Sequence, residues 1–176
     1  PAKSGPAQLP RRLVAVGDRV YVTLGLHSPV SMLDAATGKT LKTFNATEHT
    51  EEIVVSGNEL FVMAHSIDPP EGQWKLATVR CWDESRRANN ARPWSWSASD
   101  PRKIIAIDIS SGKVLWSKDT PVAEITLGAD SDNVLYHNGE NVVCLDRSTG
   151  KEKWKSQHQA KPPTAVKHAP NLVIYK

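Results

Sequence analysis

The residues that could do chemistry are spread along this 176-residue chain without forming a recognised catalytic pattern. Its six histidines stand singly, and no Gly-x-Ser-x-Gly sequence marks a hydrolase nucleophile. No glycine-rich phosphate loop is present either. Asp130-Ser131-Asp132-Asn133 resembles the start of a calcium loop but lacks the glycine and glutamate that follow in such loops, so we interpret it as a turn. We therefore predict no catalytic and no metal-binding residues, and the sequence leaves cofactor-binding residues unknown.

The two cysteines, Cys81 and Cys144, permit at most one internal disulfide. They form no Cys-x-x-Cys motif, no adjacent pair and no zinc-ligand set with the histidines. Two separate thiols are favoured over a bridge, and the pairing stays open.

Composition excludes several classes of protein. A net charge of +3 is too small for the basic surface of a nucleic-acid-binding domain. The longest apolar runs, such as 13–16 and 104–107, are far shorter than the roughly 20 residues of a membrane-spanning helix. The sequence begins with Pro1 and no charged, apolar leader follows, so we expect a processed form or a fragment.

An internal repeat is the most informative feature of the sequence. Three short apolar runs end in Asp34, Asp108 and Asp146, and each Asp is followed four residues later by Gly. The second and third Asp are 38 residues apart, and so are Asn133 and Asn171, which lie in a second recurring segment. A fixed period of this length is typical of a repeat architecture and argues against an irregular β-sandwich.

Each repeat contains four strand-like runs rich in β-branched residues and separated by turn sequences. Four strands in a repeat of about 40 residues indicate one blade of a β-propeller. The predicted fold is all-β, a partial β-propeller of about three and a half four-stranded antiparallel blades. Residues 1–10 would be a disordered or linker segment, and 11–176 one propeller fragment. Its blades are placed at about 12–48, 51–119 and 121–158, with a fourth starting at 163–176 and an insertion at about 66–102.

The repeated core resembles the tryptophan-docking motif A-x-D-x-x-T-G-x-x-x-W of the pyrroloquinoline-quinone (quinoprotein-like) β-propellers. The first repeat departs from the motif, with Met32 in place of Ala and Lys42 in place of Trp. The matching residues are Asp34, Thr37, Gly38, Ala106, Asp108, Gly112, Trp116, Asp146, Thr149, Gly150 and Trp154.

The resemblance implies a structural role for these motif residues. Asp, Thr and Gly form a tight turn, and the Trp carries apolar surface from one blade onto the next. We therefore expect Trp116 and Trp154 to be buried between blades, and Trp154→Ala to cost about 3–5 kcal/mol. At the first repeat, Lys42 should leave a weaker contact, or Phe44 should provide it.

The resemblance also implies a function by class. We expect a non-catalytic binding or scaffolding module, a fragment of a larger bacterial extracytoplasmic or periplasmic protein. Relatives include outer-membrane assembly factors and sensor regions related to serine/threonine kinases. The alternative is part of a quinone-dependent dehydrogenase, in which pyrroloquinoline quinone and calcium would bind only to the full-length parent. Expected partners are a protein, the remaining blades of the parent or a second copy that completes a ring; no nucleic acid and no membrane span are expected.

The insertion is not explained by the repeat. It carries four of the six tryptophans together with clustered arginines, a composition that suits a recognition loop. Packing of these rings onto the propeller is the favoured alternative. The candidate recognition residues are Trp74, Trp82, Arg86, Arg87, Trp94 and Trp96.

Overall fold

The computed structural model describes residues 11–25, 27–66, 102–157 and 172–174. Within these residues the chain forms three four-stranded sheets. The first sheet contains β1 (Leu13–Val16), β2 (Arg19–Thr23), β3 (Val30–Asp34) and β4 (Thr40–Phe44). The second contains β5 (Thr50–Ser56), β6 (Glu59–His65), β7 (Arg102–Asp108) and β8 (Val114–Asp119). The third contains β9 (Gly128–Ala129), β10 (Asn133–His137), β11 (Val142–Asp146) and β12 (Glu152–Lys155).

Every sheet is an antiparallel meander in which sequential strands pair with each other. The first strands of neighbouring sheets lie side by side, β1 against β5 and β5 against β9. They are therefore the inner strands, and β4, β8 and β12 are the outer ones. This arrangement confirms the prediction of an all-β partial propeller, in which each sheet is one blade.

The second blade supplies apolar side chains to both of its neighbours. Along β6, Leu60 and Val62 belong to the core shared with the first blade, while Phe61 and Met63 belong to the core shared with the third. The alternation follows from the strand geometry, because successive side chains point to opposite faces of a sheet. Each core thus lies between two blades and not inside one.

Helical structure is limited, in the described residues, to a 3-10 turn at Asn45–Thr47, between the first two blades. No helix of this part of the chain is long and apolar enough to cross a membrane.

Candidate functional site

The predicted Asp-Thr-Gly turns connect the third and fourth strands of each blade. In the first, Asp34 Oδ1 accepts hydrogen bonds from the Thr37 amide at 2.9 Å and the Thr37 hydroxyl at 2.7 Å. The Gly38 amide donates to the Asp34 carbonyl at 2.8 Å, with Gly38 at φ 72°, which favours glycine. These hydrogen bonds hold the pKa of Asp34 below its usual value. The other two turns, Asp108–Gly112 and Asp146–Gly150, repeat the geometry.

Trp116 on β8 joins the second blade to the turn of the third. Its indole Nε1 donates a hydrogen bond to the Arg147 carbonyl at 2.7 Å. The ring lies directly on Gly150, so closely that a Cβ there would come within 2.6 Å of it. Trp116 is 9% exposed, and its ring centroid is 6.1 Å from that of Phe61. This contact combines burial of a large ring with satisfaction of its polar atom.

Lys42 takes the corresponding position on β4 and contacts the turn of the second blade. Its Nζ donates to the carbonyls of Ile109 at 2.9 Å and Ser110 at 2.5 Å. Its Cδ would lie 3.8 Å from a Cβ on Gly112. Lys42 therefore replaces the tryptophan with an alkyl chain and a cation. Phe44, 2% exposed, packs in the core between the first two blades.

Trp154 differs from the expectation of burial, since it is 48% exposed on β12. A tryptophan at this position would lie on the Gly turn of the next blade, but no further Asp-x-x-Thr-Gly turn follows Gly150 in the sequence. At the other end of the described structure, a Cβ on Gly38 would meet no atom within 4 Å. Among the described residues, Trp154 therefore has no docking turn, and the Gly38 turn has no docking side chain.

Arg147 follows the turn Asp and connects the second and third blades. Its Nε donates to Glu59 Oε2 at 2.6 Å, and its two terminal nitrogens donate to the hydroxyl and carbonyl of Ser56 and to the Asp130 carbonyl. The guanidinium lies 5.3 Å from the centroid of the Phe61 ring, within the range of a cation–π contact. Arg147 is therefore a blade-to-blade connector.

Glu52 on β5 links all three blades where their inner strands meet. Arg11 Nη2 donates to Glu52 Oε1 at 2.5 Å and to the Leu127 carbonyl at 2.6 Å, while the Leu127 amide donates to Glu52 Oε2 at 3.4 Å. Glu52 is 1% exposed. Burial raises the pKa of Glu52 to about 7, although the charge of Arg11 opposes the shift.

A second buried network surrounds Arg102 at the start of β7. Its Nε donates to Glu51 at 3.0 Å, and its terminal nitrogens donate to the Val122 carbonyl at 3.0 Å and to Glu124 at 3.1 Å. Glu51 also lies 3.0 Å from His65 Nε2. Burial tends to raise the pKa of Glu51, but the hydrogen bond from His65 and the charge of Arg102 outweigh it and lower that pKa. The acids and bases of this network pair with one another.

A polar cleft of about 390 Å³ lies next to this network. It opens between the connection from β4 to β5 and the ends of β6 and β7. Its lining residues are Asn45, Ala46, Glu48, His49, His65, Ser66 and Lys103. Amide, carboxylate, imidazole and ammonium groups therefore surround this cleft.

Several of these residues were not identified from the sequence. Arg11 and Glu52 are 41 positions apart, and His27 and His49, whose Nδ1 atoms lie 3.0 Å apart, are separated by 22. No motif connects such pairs before the blades are placed. A weak signal for Glu52 is its position directly before the buried Ile53 in an inner strand.

Other sequence-based expectations lie outside the described residues. These include the insertion, with Trp74, Trp82, Arg86, Arg87, Trp94 and Trp96, and also Cys81. Its possible partner Cys144 is buried on β11, and burial raises the pKa of the thiol. Where the structure is described, no three His, Cys, Asp or Glu residues are grouped closely enough to hold a metal ion.

Comparisons with solved structures show the fold. The chain is similar to the computationally designed Ika4 protein, with a TM-score of 0.56 and 12% identity over 93% of this chain and 78% of that one. It is similar to quinohemoprotein alcohol dehydrogenase ADHIIG from Pseudomonas putida HK5, with a TM-score of 0.50 and 17% identity over 87% and 21% of the two chains. It is also similar to BamB from Moraxella catarrhalis, with a TM-score of 0.47 and 16% identity over 84% of this chain and 36% of that one. The chain thus spans well under half of either natural protein.

Family assignment rests on a separate sequence match. No curated protein matches the sequence. Residues 27–176, however, match the family model described as outer membrane protein assembly factor BamB. Because this match extends over most of the sequence, the chain belongs to the PQQ-repeat β-propeller family that includes the assembly factor BamB.

Proposed function

We propose that this chain is a non-catalytic binding or scaffolding module, part of a propeller that acts outside the cytoplasm. The proposal rests on the observation that the buried polar side chains of this chain contact neighbouring blades. Arg11, Glu52, Arg102 and Arg147 are engaged in contacts between blades, as is Lys42. Side chains that hold blades together support a rigid platform for a partner.

The proposed partner surface is the outer part of the third blade around Trp154, since Leu172 and Ile174 already lie against the inner strand of this blade at Gly128. Trp154 is half exposed there, and an exposed tryptophan with an indole donor is a common anchor of protein interfaces. The chemistry of the Trp116 contact indicates what would cover it, namely a glycine turn with a carbonyl acceptor. Further blades of a longer polypeptide, or a second copy of this chain, present such a turn. More specifically, the parent protein would be an outer-membrane protein assembly factor or a kinase-related sensor.

Sedimentation velocity at micromolar concentration tests the proposed surface. We expect the chain to self-associate and Trp154→Lys to shift it towards monomer. Leu115→Lys is the matched control, because Leu115 is 46% exposed on β8, away from the open blade. A wild-type chain that remains monomeric would exclude a second copy as the cover of Trp154, and equal effects of the two variants would contradict a role of this surface.

The second candidate function is part of a quinone-dependent dehydrogenase, favoured by the similarity to the alcohol dehydrogenase fold. The two buried glutamates of the inner strand β5 are not free to bind its calcium. The buried carboxylates of Glu51 and Glu52 are paired with Arg102 and Arg11, and so offer no set of free oxygen ligands. Dye reduction with pyrroloquinoline quinone, calcium and an alcohol is therefore expected to stay at the level of the blank. Reduction that requires the protein would instead favour the dehydrogenase.

A further inference from the structure

Two histidines from different loops face each other at the edge of the first blade. His27 lies between β2 and β3, and His49 lies just before β5. Their Nδ1 atoms are 3.0 Å apart, and their rings meet edge-on, with centroids 5.1 Å apart and an interplanar angle of 64°. At this distance one ring nitrogen donates a proton to the lone pair of the other.

The spacing of these nitrogens is close to that of two ligands on one metal ion. Zinc–imidazole bonds of about 2.0–2.1 Å in tetrahedral geometry place neighbouring ligand nitrogens about 3.3 Å apart. A metal ion can therefore replace the shared proton if that proton moves to Nε2 of the donor ring and each ring turns so that its Nδ1 lone pair points to the metal. Imidazole nitrogen suits zinc, nickel and copper, whereas calcium and magnesium prefer oxygen ligands.

The two loops are held in place by hydrogen bonds that do not involve the imidazoles. The Val30 amide donates to Thr47 Oγ1 at 2.7 Å, which fixes the start of β3 against the 3-10 turn. The Thr50 hydroxyl donates to the Thr47 carbonyl at 2.6 Å, so the turn is also tied to β5. The anchors lie on either side of His49 and three residues after His27, so they reduce the ordering of the two loops that metal binding would require.

The backbone of His49 supports the same interpretation. His49 has φ 60°, a left-handed conformation that few residues other than glycine adopt. Its carbonyl accepts a hydrogen bond from the His65 amide at 3.3 Å. The side chain carried by this left-handed residue faces His27.

We propose that His27 and His49 form a two-imidazole site for a divalent transition metal ion of the zinc and nickel type. The described residues add no third His, Cys, Asp or Glu ligand to this pair. A site of this kind joins the β2–β3 loop of the first blade to the connection that leads into the second. It would therefore stabilise the junction between those blades when metal is bound.

Calorimetric titration of the untagged chain with zinc chloride tests the proposal. We expect one zinc ion per chain, with the dissociation constant at least tenfold higher in both His27→Gln and His49→Asn. Asparagine is chosen at position 49 because it tolerates the left-handed backbone. His168→Gln, which removes a histidine outside the pair, should change the constant less than twofold. Calcium should give no heat of binding at the same concentrations.

An NMR titration of the wild-type chain tests the proposal without requiring that the substituted proteins fold. Substoichiometric zinc should shift or broaden the imidazole resonances of His27 and His49 together and before those of the other histidines. Absence of zinc binding, or binding that survives either substitution within twofold, would overturn the proposal. So would early perturbation of only one of the two rings.

Discussion

The two blade junctions use the same turn but contact it with opposite chemistry. Trp116 places an apolar ring on Gly150 and donates one hydrogen bond to the Arg147 carbonyl. Lys42 places an alkyl chain near Gly112 and donates to the Ile109 carbonyl, which occupies the same position in the second turn. The constant element of the junction is therefore the turn with its carbonyl acceptor, while the docking side chain can vary. The tryptophan junction should be the stronger, because the ring buries more apolar area and lysine loses more rotamer freedom.

The largest expected effect is that of removing the ring. Trp116→Ala should lower the free energy of unfolding by about 3–5 kcal/mol, the range for a large core aromatic. Trp154→Ala is the matched control and should cost about 1 kcal/mol, since that ring is half exposed. Urea denaturation measures both variants. Equal losses would mean that burial against Gly150 is not what stabilises this junction.

Glu52 joins both junctions and makes their stability depend on pH. Its pKa is about 7 in the folded chain, against an ordinary value of 4.5. The folded state keeps a proton that the unfolded state releases, so the free energy of unfolding should fall as the pH rises from about 4.5 to about 7. The full loss is about 3 kcal/mol.

The measurement is urea unfolding of the wild type and Glu52→Gln between pH 4.5 and 8. Glu51, whose lowered pKa acts in the opposite direction and at lower pH, is present in both proteins and cancels in the difference. Parallel pH profiles would show that Glu52 is not the group that titrates.

Substituting alanine for the equivalent turn glycines distinguishes the effect of the ring contact on stability from the effect of backbone strain. Gly38, Gly112 and Gly150 all have positive φ, so each substitution should cost about 1–2 kcal/mol from strain alone. Only at Gly150 would the new Cβ overlap the Trp116 ring. Gly150→Ala should therefore exceed Gly38→Ala by roughly 2 kcal/mol in thermal or urea unfolding. Equal losses would place the ring farther from the turn.

The smallest effect is expected at the lysine junction. Lys42→Met keeps the alkyl chain and removes the two hydrogen bonds to Ile109 and Ser110. The loss should be about 1 kcal/mol, because the bonds are partly exposed to solvent. Lys39→Met, on the same blade, is the control and should change stability by less than half of that. A loss at Lys42 as large as that of Trp116→Ala would remove the contrast between the junctions.

The sequence predicts the repeated parts of the fold better than the contacts between repeats. The Asp-to-Gly spacing at Asp34, Asp108 and Asp146 fixes three turns because their hydrogen bonds are local. The chemistry at Lys42 could not be predicted in this way, since its acceptors lie 67 and 68 residues further along the chain.

The candidate site was even less accessible to sequence analysis. The buried hydrogen bonds of Glu52 and the contact between His27 and His49 depend on how neighbouring blades pack together. No local sequence pattern encodes that packing. Residues of the insertion could be noted for their composition, but composition does not decide between recognition and packing.

The alternating faces of β6 have a consequence for cooperativity. Leu60 and Val62 complete one core and Phe61 and Met63 complete the next, so the second blade cannot open without exposing both. The unit duplicated in the sequence is one sheet, but because each core lies between two sheets we expect the smallest unit able to fold to be a pair of adjacent sheets. Amide exchange should therefore be slowest in β6 and β7, and loss of an outer blade should weaken its neighbour through a nearest-neighbour coupling.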